Sequence, residues 1–336
     1  MFKRMQSMQM QTVHCFQITG PDQHEYRAII ALHNTTLGPA LGGCRCLHYT
    51  HEQLAFDDAM RLAQGMSYKA ALANVPHGGG KAVIILPNHV AVDDIDRTFL
   101  FTWFGRCVDQ LNGQYITAMD VGTQVSDMDV IAQQTPYVAS ASNIGDPAEA
   151  TAQGVMAGIK AALDFQLKSS DIAGKRFALQ GLGHVGWRLA NQLLLAGATV
   201  VAADPDEEKC WRAQALGMTV VGVDEILTQE CDVLVPCALG GVIHQGVVGQ
   251  LRCKIIAGSA NNQLADDDIA EQLQQRHILY APDYIINAGG LIFASMRHNK
   301  QNLDILISQK IEDIYHTLSD IFQQAKTSGK NINQVA

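Results

Sequence analysis

Two hydrophobic periods run along the chain, and their arrangement changes near its middle. Between Thr12 and Ile116, short runs rich in β-branched and aromatic residues ("VHCFQIT", "YRAIIALH", "CRCLHY", "KAVIIL", "YITAM") are separated by stretches of three-to-four spacing at 52–74 and 92–111. After "NIGDPAEATAQG", where Asp146-Pro147 suits a helix start, the alternation becomes regular. "RFALQ", "TVVAAD", "CDVLVPC" and "KIIAGS" are separated by helical segments. The first pattern predicts an α/β domain over residues 1–142. The second predicts a doubly wound parallel sheet with helices on both faces over 143–301. The segment "NLDILISQKIEDIYHTLSDIFQQAK" repeats apolar residues from Leu303 to Ile321 at helical spacing, so a helix is expected from about 302 to 336.

The head of the second pattern carries the clearest chemical signal. In "FALQGLGHVGWRLANQLLLAG" the glycines Gly181, Gly183 and Gly186 follow a predicted strand and open a helix, and a second strand ends at Asp204. Gly181 permits a tight turn, Gly183 lets a pyrophosphate approach the backbone, and Gly186 lets helix and strand pack closely. His184 and Val185 fall at the helix start, where N–H groups and the helix dipole favour an anion. Asp204, followed by Asp206, Glu207 and Glu208, would accept from a ribose hydroxyl and repel a 2'-phosphate, which favours NAD over NADP.

A dinucleotide site needs a partner site for what is oxidised, and the first half offers Lys69, Lys81 and Asp120. Lys69 shares a helical face with Leu62, Met66 and Ala70. Lys81 follows the triple glycine of "HGGGKAVIILP", and Asp120 ends the predicted strand "YITAMD". A phosphate-binding P-loop is excluded, because Val75 stands where its first glycine belongs and Ala82 where its Ser or Thr belongs. Two ammonium groups in one partly desolvated cleft disfavour each other's protonation, which makes a lysine a usable base near neutral pH. The glycines are expected to let substrate and water come close to the Lys81 amine. His77, just before them, is a possible tuner of Lys81, with a structural role the blander alternative.

Composition narrows the partners. Lys plus Arg number 24 against 33 acids, a formal charge of −9, so the global field repels polyanions and nucleic acid is not expected. No apolar run approaches the roughly 18 residues of a membrane helix, and the start lacks the apolar core of a signal peptide, so a cytoplasmic protein is expected. Eight cysteines, without a CxxC pair, read as reduced thiols, and no metal site is expected.

Nine segments in order, "TTLGPALGGCR", "GMSYKAAL", "GGGKAVI", "AMDVGT", "GDPAEATAQGV", "QGLGHVG", "PCALGG", "GSANNQL" and "APDYIINAGG", resemble the glutamate, leucine, phenylalanine and valine dehydrogenase family, most nearly its leucine dehydrogenases. The resemblance spans nearly the whole chain. It implies NAD-dependent, reversible deamination of an L-amino acid to its 2-oxo acid and ammonium, in an active-site cleft between an N-terminal substrate domain and a C-terminal Rossmann domain. By the same resemblance Lys69 binds the substrate carboxylate, Lys81 activates water and Asp120 shuttles protons. Gly42 and Gly43 line the carboxylate end, Met66 lies against the substrate, and Asn262 reaches the amine or nicotinamide region. Thr151, Ala238 and Asn261 lie along the cofactor. Leu41 stands where the family's glutamate enzymes carry a lysine, which argues for an apolar substrate side chain, with Ala118, Leu291 and Ala294 as further pocket residues. Leucine, valine or isoleucine is the leading substrate class. Ala294, where leucine enzymes tend to carry a valine, keeps phenylalanine or tryptophan open, and a catalytically silent NAD-binding regulator is the reading from another class. The segment "LIFASMRHNK", Leu291 to Lys300, departs from the family pattern at Met296 and Arg297. The family implies a homo-oligomer and a C-terminal helix that returns to the first domain.

Overall fold

The chain divides into two units after Asp146. The structure, a computed structural model, describes residues 2–266, 268–298 and 304–336, so 299–303, including the end of the divergent segment and the expected start of the C-terminal helix, lies outside the described residues. The first unit runs to Asp146 and includes Ala294 to His298, and the second holds Pro147–Phe293 and the residues from Asp304 onward. The division comes slightly later than the expected 142/143. Ser142 N still donates to Asp129 Oδ1 at 2.8 Å, which keeps that stretch with the first unit.

The first unit contains β1 (Thr12–Thr19), β2 (Glu25–Asn34), β3 (Ala40–His48), β4 (Gly78–Leu86) and β5 (Tyr115–Met119), with helices α1 (Phe2–Ser7), α2 (Glu52–Leu72), α3 (Arg97–Asp109) and α4 (Val125–Ala132). The sheet order is β1-β2-β4-β3-β5, antiparallel from β1 to β4 and parallel from β4 to β5. One face buries Ile30, Cys44, Cys46, Ala82 and Ile84 with Phe101 and Phe104 of α3; the other buries Ile29, Ala31 and Val83 against Ala55, Ala59, Met60 and Ala63 of α2. Small residues on α2 let it lie close to the strands. The expected 92–111 helix begins later, at Arg97, because the Asp96 side chain accepts from Phe99 N at 2.9 Å and caps it there.

β3 and β4 begin before the apolar runs that announced them, so Gly42, Gly43 and the triple glycine lie inside strands. Protein atoms occupy the space their missing side chains leave. A Cβ on Gly79 would run into the α2 backbone at Ala63 and Ser67, one on Gly80 would sit 2.8 Å from the Tyr115 ring, and one on Gly78 would run into Asn34 O. The expectation that these glycines admit substrate and water is therefore corrected: they let helix and strands close on β4.

The second unit holds β6 (Arg176–Gln180), β7 (Thr199–Ala203), β8 (Thr219–Val220), β9 (Val233–Pro236), β10 (Ile255–Ile256) and β11 (Leu279–Tyr280) in one parallel sheet, order β11-β10-β9-β6-β7-β8. Its helices are α5 (Ala148–Leu167), α6 (His184–Leu195), α7 (Glu207–Ala215), α8 (Gln245–Val248), α9 (Asp268–Gln275), α10 (Asp283–Ile286), α11 (Gly289–His298, shared with the first unit), α12 (Asp304–Ser328) and α13 (Ile332–Val335). The C-terminal helix does not join the first unit. Glycines 154 and 158 let α12 settle on α5, since a Cβ at either would come within 2.9 Å of Ile314 Cδ1 or Leu318 Cδ1. Tyr315 Oη donates to Asp164 Oδ2 at 3.1 Å, and the Phe165 and Phe322 rings meet at 5.4 Å. Among the described residues no helix is long and apolar enough to cross a membrane, and no group of three or more His, Cys, Asp or Glu is placed to hold a metal.

Candidate active site

Strand register decides which side chains of the first unit can meet. Ala31 pairs with Lys81, Leu41 with Gly79 and Ile116, and Gly43 with Ala118, so Lys81, Gly43 and Ala118 lie in one row across β4, β3 and β5. Alternation along a strand puts Leu41, Gly43 and Arg45 on one face, with Lys81 and Ala118, and this is the face that α2 covers. Asp120 follows β5 one row beyond Ala118. Gly43 stands between it and Lys81, and a Cβ there would lie 2.7 Å from Asp120 Cβ. Without that obstruction Lys81 Nζ reaches across β3 and donates to Asp120 Oδ2.

Several partners hold Asp120. Arg45 Nε donates to the same Oδ2 at 3.2 Å, and Arg45 Nη1 donates to Asp58 Oδ2 at 2.8 Å, where Tyr49 Oη also donates at 2.9 Å. The Asp120 backbone N donates to Thr123 Oγ1 at 2.9 Å, and Thr123 in turn donates to Cys44 O at 3.1 Å. Burial alone would raise the Asp120 carboxyl, but the Lys81 ammonium, the Arg45 guanidinium and the Val121 N–H outweigh it and hold it below its ordinary range. For Arg45, burial works against the charge, while Asp120 and Asp58 overcome it and raise the guanidinium further. Charge compensation here runs through Lys81 and Arg45 on Asp120 and through Arg45 and Arg61 on Asp58, a wider set than the expected Lys69, Lys81 and Asp120.

Arg45, Asp58 and Thr123 escaped the sequence reading. A signal for Arg45 existed: an arginine between two buried cysteines, Cys44 and Cys46, must point to the opposite face, which Leu41 and Gly43 share. Lys69 and Met66 are half-buried on α2, the helix above that face, while Leu41 is buried within it. His77 is buried, with Nδ1 3.2 Å from Pro39 O, at the entry to β4.

The second unit places the glycine turn at the point where strand order reverses, between β6 and β9. Gly181 has φ +95°, and its Cβ would lie 2.8 Å from Ala238 Cβ on the loop after β9. Gly186 packs against Gly181 O. Gly183 differs from both: a Cβ there would meet nothing within 4 Å, and as the N-cap of α6 it leaves the first turn without a side-chain cap. His184 is exposed beside it and Val185 half-buried. Open space at an uncapped helix start fits a pyrophosphate. Gln180 Oε1, buried at the end of β6 without a hydrogen-bond partner, adds an unsatisfied acceptor next to this turn.

Asp204 ties the turn to β7: Oδ2 accepts from Leu182 N at 2.7 Å and Oδ1 from Asp206 N at 3.0 Å. Lys209 Nζ lies 3.5 Å from Asp204 and 3.6 Å from Asp206, a cation missing from the expectation of an all-acidic cluster. Exposed Ala238, Asn261 and Asn262 edge the same end of the sheet. Asn262 has φ +51°, its carbonyl accepts from Gly241 N at 2.6 Å, and Asn261 Oδ1 accepts from Asn287 Nδ2 at 2.8 Å. Thr151 Oγ1 donates to Pro147 O at 2.9 Å and faces Gly290, whose Cβ would come within 2.7 Å of it. On α11, buried Leu291 belongs to the second unit and half-buried Ala294 to the first.

Residues 10–137 match the family profile described as Glu/Leu/Phe/Val dehydrogenase, dimerisation domain, and residues 206–334 match Glutamate/Leucine/Phenylalanine/Valine dehydrogenase. The chain belongs to the Glu/Leu/Phe/Val dehydrogenase family. Between and overlapping those matches, residues 123–240 fit the NAD binding domain of D-isomer specific 2-hydroxyacid dehydrogenases. The cofactor of this family member is NAD. The chain is 44% identical over 305 residues to leucine dehydrogenase of Geobacillus stearothermophilus, covering 89% of this chain and 82% of that one. It is 43% identical over 315 residues to L-tryptophan dehydrogenase of Nostoc punctiforme, covering 93% and 88%. The crystal structure of L-tryptophan dehydrogenase from Nostoc punctiforme superposes with a TM-score of 0.85 at 40% identity, covering 100% of this chain and 96% of that chain.

Proposed function

We propose that this amino acid dehydrogenase reversibly deaminates an apolar L-amino acid to its 2-oxo acid and ammonia, with leucine, valine or isoleucine as the preferred class. The observation that carries the reading is the Lys81–Asp120 contact across Gly43, on a face whose neighbouring side chain, Leu41, is apolar. A carboxylate side chain would find no cation at Leu41, so the pocket favours an aliphatic or aromatic group.

Lys69 pairs with the substrate carboxylate, and Leu41, Met66, Ala118 and Ala294, all of the first unit, receive the side chain. Bound NAD supplies the acceptor for the α-hydrogen as hydride. Asp120, kept ionised by Lys81 and Arg45, takes a proton from the substrate ammonium, which frees the nitrogen lone pair for loss of hydride from the α-carbon. Lys81, once its ammonium proton has passed to solvent, removes a proton from the water that adds to the substrate iminium carbon. Asp120 then gives its proton to the nitrogen and takes up the hydroxyl proton as the C=O bond forms, the C–N bond breaks and ammonia leaves. Arg45 holds the Asp120 carboxylate in place throughout.

Gly183, with His184 and Val185 at the start of α6, receives the pyrophosphate; Asp204 accepts from a ribose hydroxyl. Thr151, Ala238, Asn261 and Asn262 flank the nicotinamide half. A homo-oligomer is part of the proposal, supported by the first profile's description as a dimerisation domain. Tryptophan is the second substrate reading, favoured by the small Ala294 and by similarity to L-tryptophan dehydrogenase. NADH absorbance with a panel of L-amino acids separates the cases. Highest kcat/KM on the branched aliphatic acids is expected, highest values on tryptophan or phenylalanine select the aromatic reading, and NADH binding without turnover of any amino acid selects a silent regulator.

A further inference from the structure

A cavity of about 380 Å³ opens in the second unit away from the glycine turn, where the C-terminal ends of α5 and α12 meet α9 and the edge strand β11. Its volume falls within the range of small-ligand sites, about 300–1,000 Å³. The floor is apolar and aromatic: Phe165, Phe322, Tyr280 and Leu279, with Phe322 and Tyr280 buried. The polar lining is all neutral or basic. Lys168, Lys326, Lys330 and His277 border the cavity, and no aspartate or glutamate lines it among the described residues, in a chain whose acids outnumber Lys plus Arg 33 to 24.

Two of the lysines are gathered around one ring. Lys168 Nζ lies 5.3 Å and Lys326 Nζ 5.9 Å from the centre of Phe165. Lys168 caps α5 in the left-handed conformation at φ +60°, with Nζ donating to Phe165 O at 2.7 Å. Helix ends alone do not balance these charges. Each C-terminus carries roughly half a negative charge, so two helices offset about one of the three ammonium groups. None of the three lysines is ion-paired with a carboxylate among the described residues. An apolar floor with surplus positive charge at its border suits an anion with an apolar body, whose ring or alkyl group displaces water from Phe165 and Phe322 while its charge meets the lysines.

We propose that this cavity binds a small carboxylate carrying an aromatic or branched apolar group, at a site separate from the nucleotide-binding end of the second unit. Helix α5 sets the separation: Thr151 near its start and Phe165 near its end are fourteen residues apart, about 21 Å along the axis. The site stands on its own lining and does not depend on the substrate reading.

The test is calorimetric titration of the full chain, saturated with NADH, with 4-phenylbutyrate and with its neutral amide. Saturable binding of the acid is expected, weakened about tenfold or more both for the amide and in Lys168→Glu/Lys326→Glu, with KM for the amino acid substrate unchanged in that variant. Ala325→Phe, which fills the cavity without altering charge, should weaken the acid to a similar extent. Absence of saturable binding overturns the proposal, as does equal affinity for acid and amide, or affinity unchanged in both variants. A chain that bound the acid but turned over no amino acid would leave this site standing and remove the catalytic reading instead.

Discussion

Glycine does opposite things in the two units. In the first, Gly43, Gly79 and Gly80 leave room that the protein itself fills: the Lys81–Asp120 contact over β3, the α2 backbone over β4, and the Tyr115 ring. In the second, Gly181 and Gly186 are filled in the same way, but Gly183 faces open space at an uncapped helix start. A glycine-rich motif therefore announces a close approach without saying what approaches. Register and packing distinguish a structural glycine from one reserved for a ligand.

The largest expected effect breaks the first side of this contrast. Gly79→Ala drives a methyl into the α2 backbone and should destabilise the fold by more than about 4 kcal/mol, read as loss of a cooperative thermal transition. A variant that melts like the wild type would show that α2 does not rest on β4 as described.

Asp120→Asn comes next. It leaves Lys81 and Arg45 without their shared anion in a half-buried site, so a loss of about 3 kcal/mol in denaturant unfolding is expected, together with a drop in turnover of about 10²- to 10⁴-fold. The pH dependence has a defined sign. A depressed folded-state carboxyl contributes stability above its unfolded value of about 3.9, and that contribution is lost as pH falls through the lower folded value. The Asn variant should therefore lack this part of the acid sensitivity of the wild type; an unchanged acid limb of stability would detach Asp120 from the charge cluster.

Arg45→Met is a smaller change with a more specific readout. Removing one of the cations that lower the Asp120 carboxyl should move the acid limb of kcat to higher pH and reduce kcat about tenfold, while KM for NAD stays constant. Arg45→Lys should restore part of both. A reduced kcat with an unmoved pH profile would make Arg45 a packing residue alone. The smallest effect tests the other side of the contrast: Gly183→Ala, at φ −74°, should fold normally and weaken NADH binding about tenfold, and unchanged binding would remove Gly183 from the cradle.

Much of this was legible in the residues. β6 matches the predicted strand residue for residue, α2 starts where its period starts, and Lys81 and Asp120 do meet. What remained hidden depends on partners distant in sequence. Inside a strand a glycine looks like a loop residue until the element lying over it is known, so the apolar runs mark only part of β3 and β4. Arg45 needed the register of β3 against β5, which places it beside Asp120, and Asp58 needed α2 laid on the sheet. Lys209 reaches Asp204 only through the turn into α7. The apolar stripe of α12 says that one face is buried and not against what. The answer lay in Gly154 and Gly158 on α5, ordinary helix residues until their missing side chains are seen to receive Ile314 and Leu318.

The most direct test of the whole account is Lys81→Ala, assayed in parallel for amino acid turnover and for NADH binding. Turnover is predicted to fall by about 10²- to 10⁴-fold with NADH affinity unchanged, since the amine belongs to the first unit and the cofactor cradle to the second. Turnover within about twofold of the wild type would contradict the assignment of Lys81 to the chemistry.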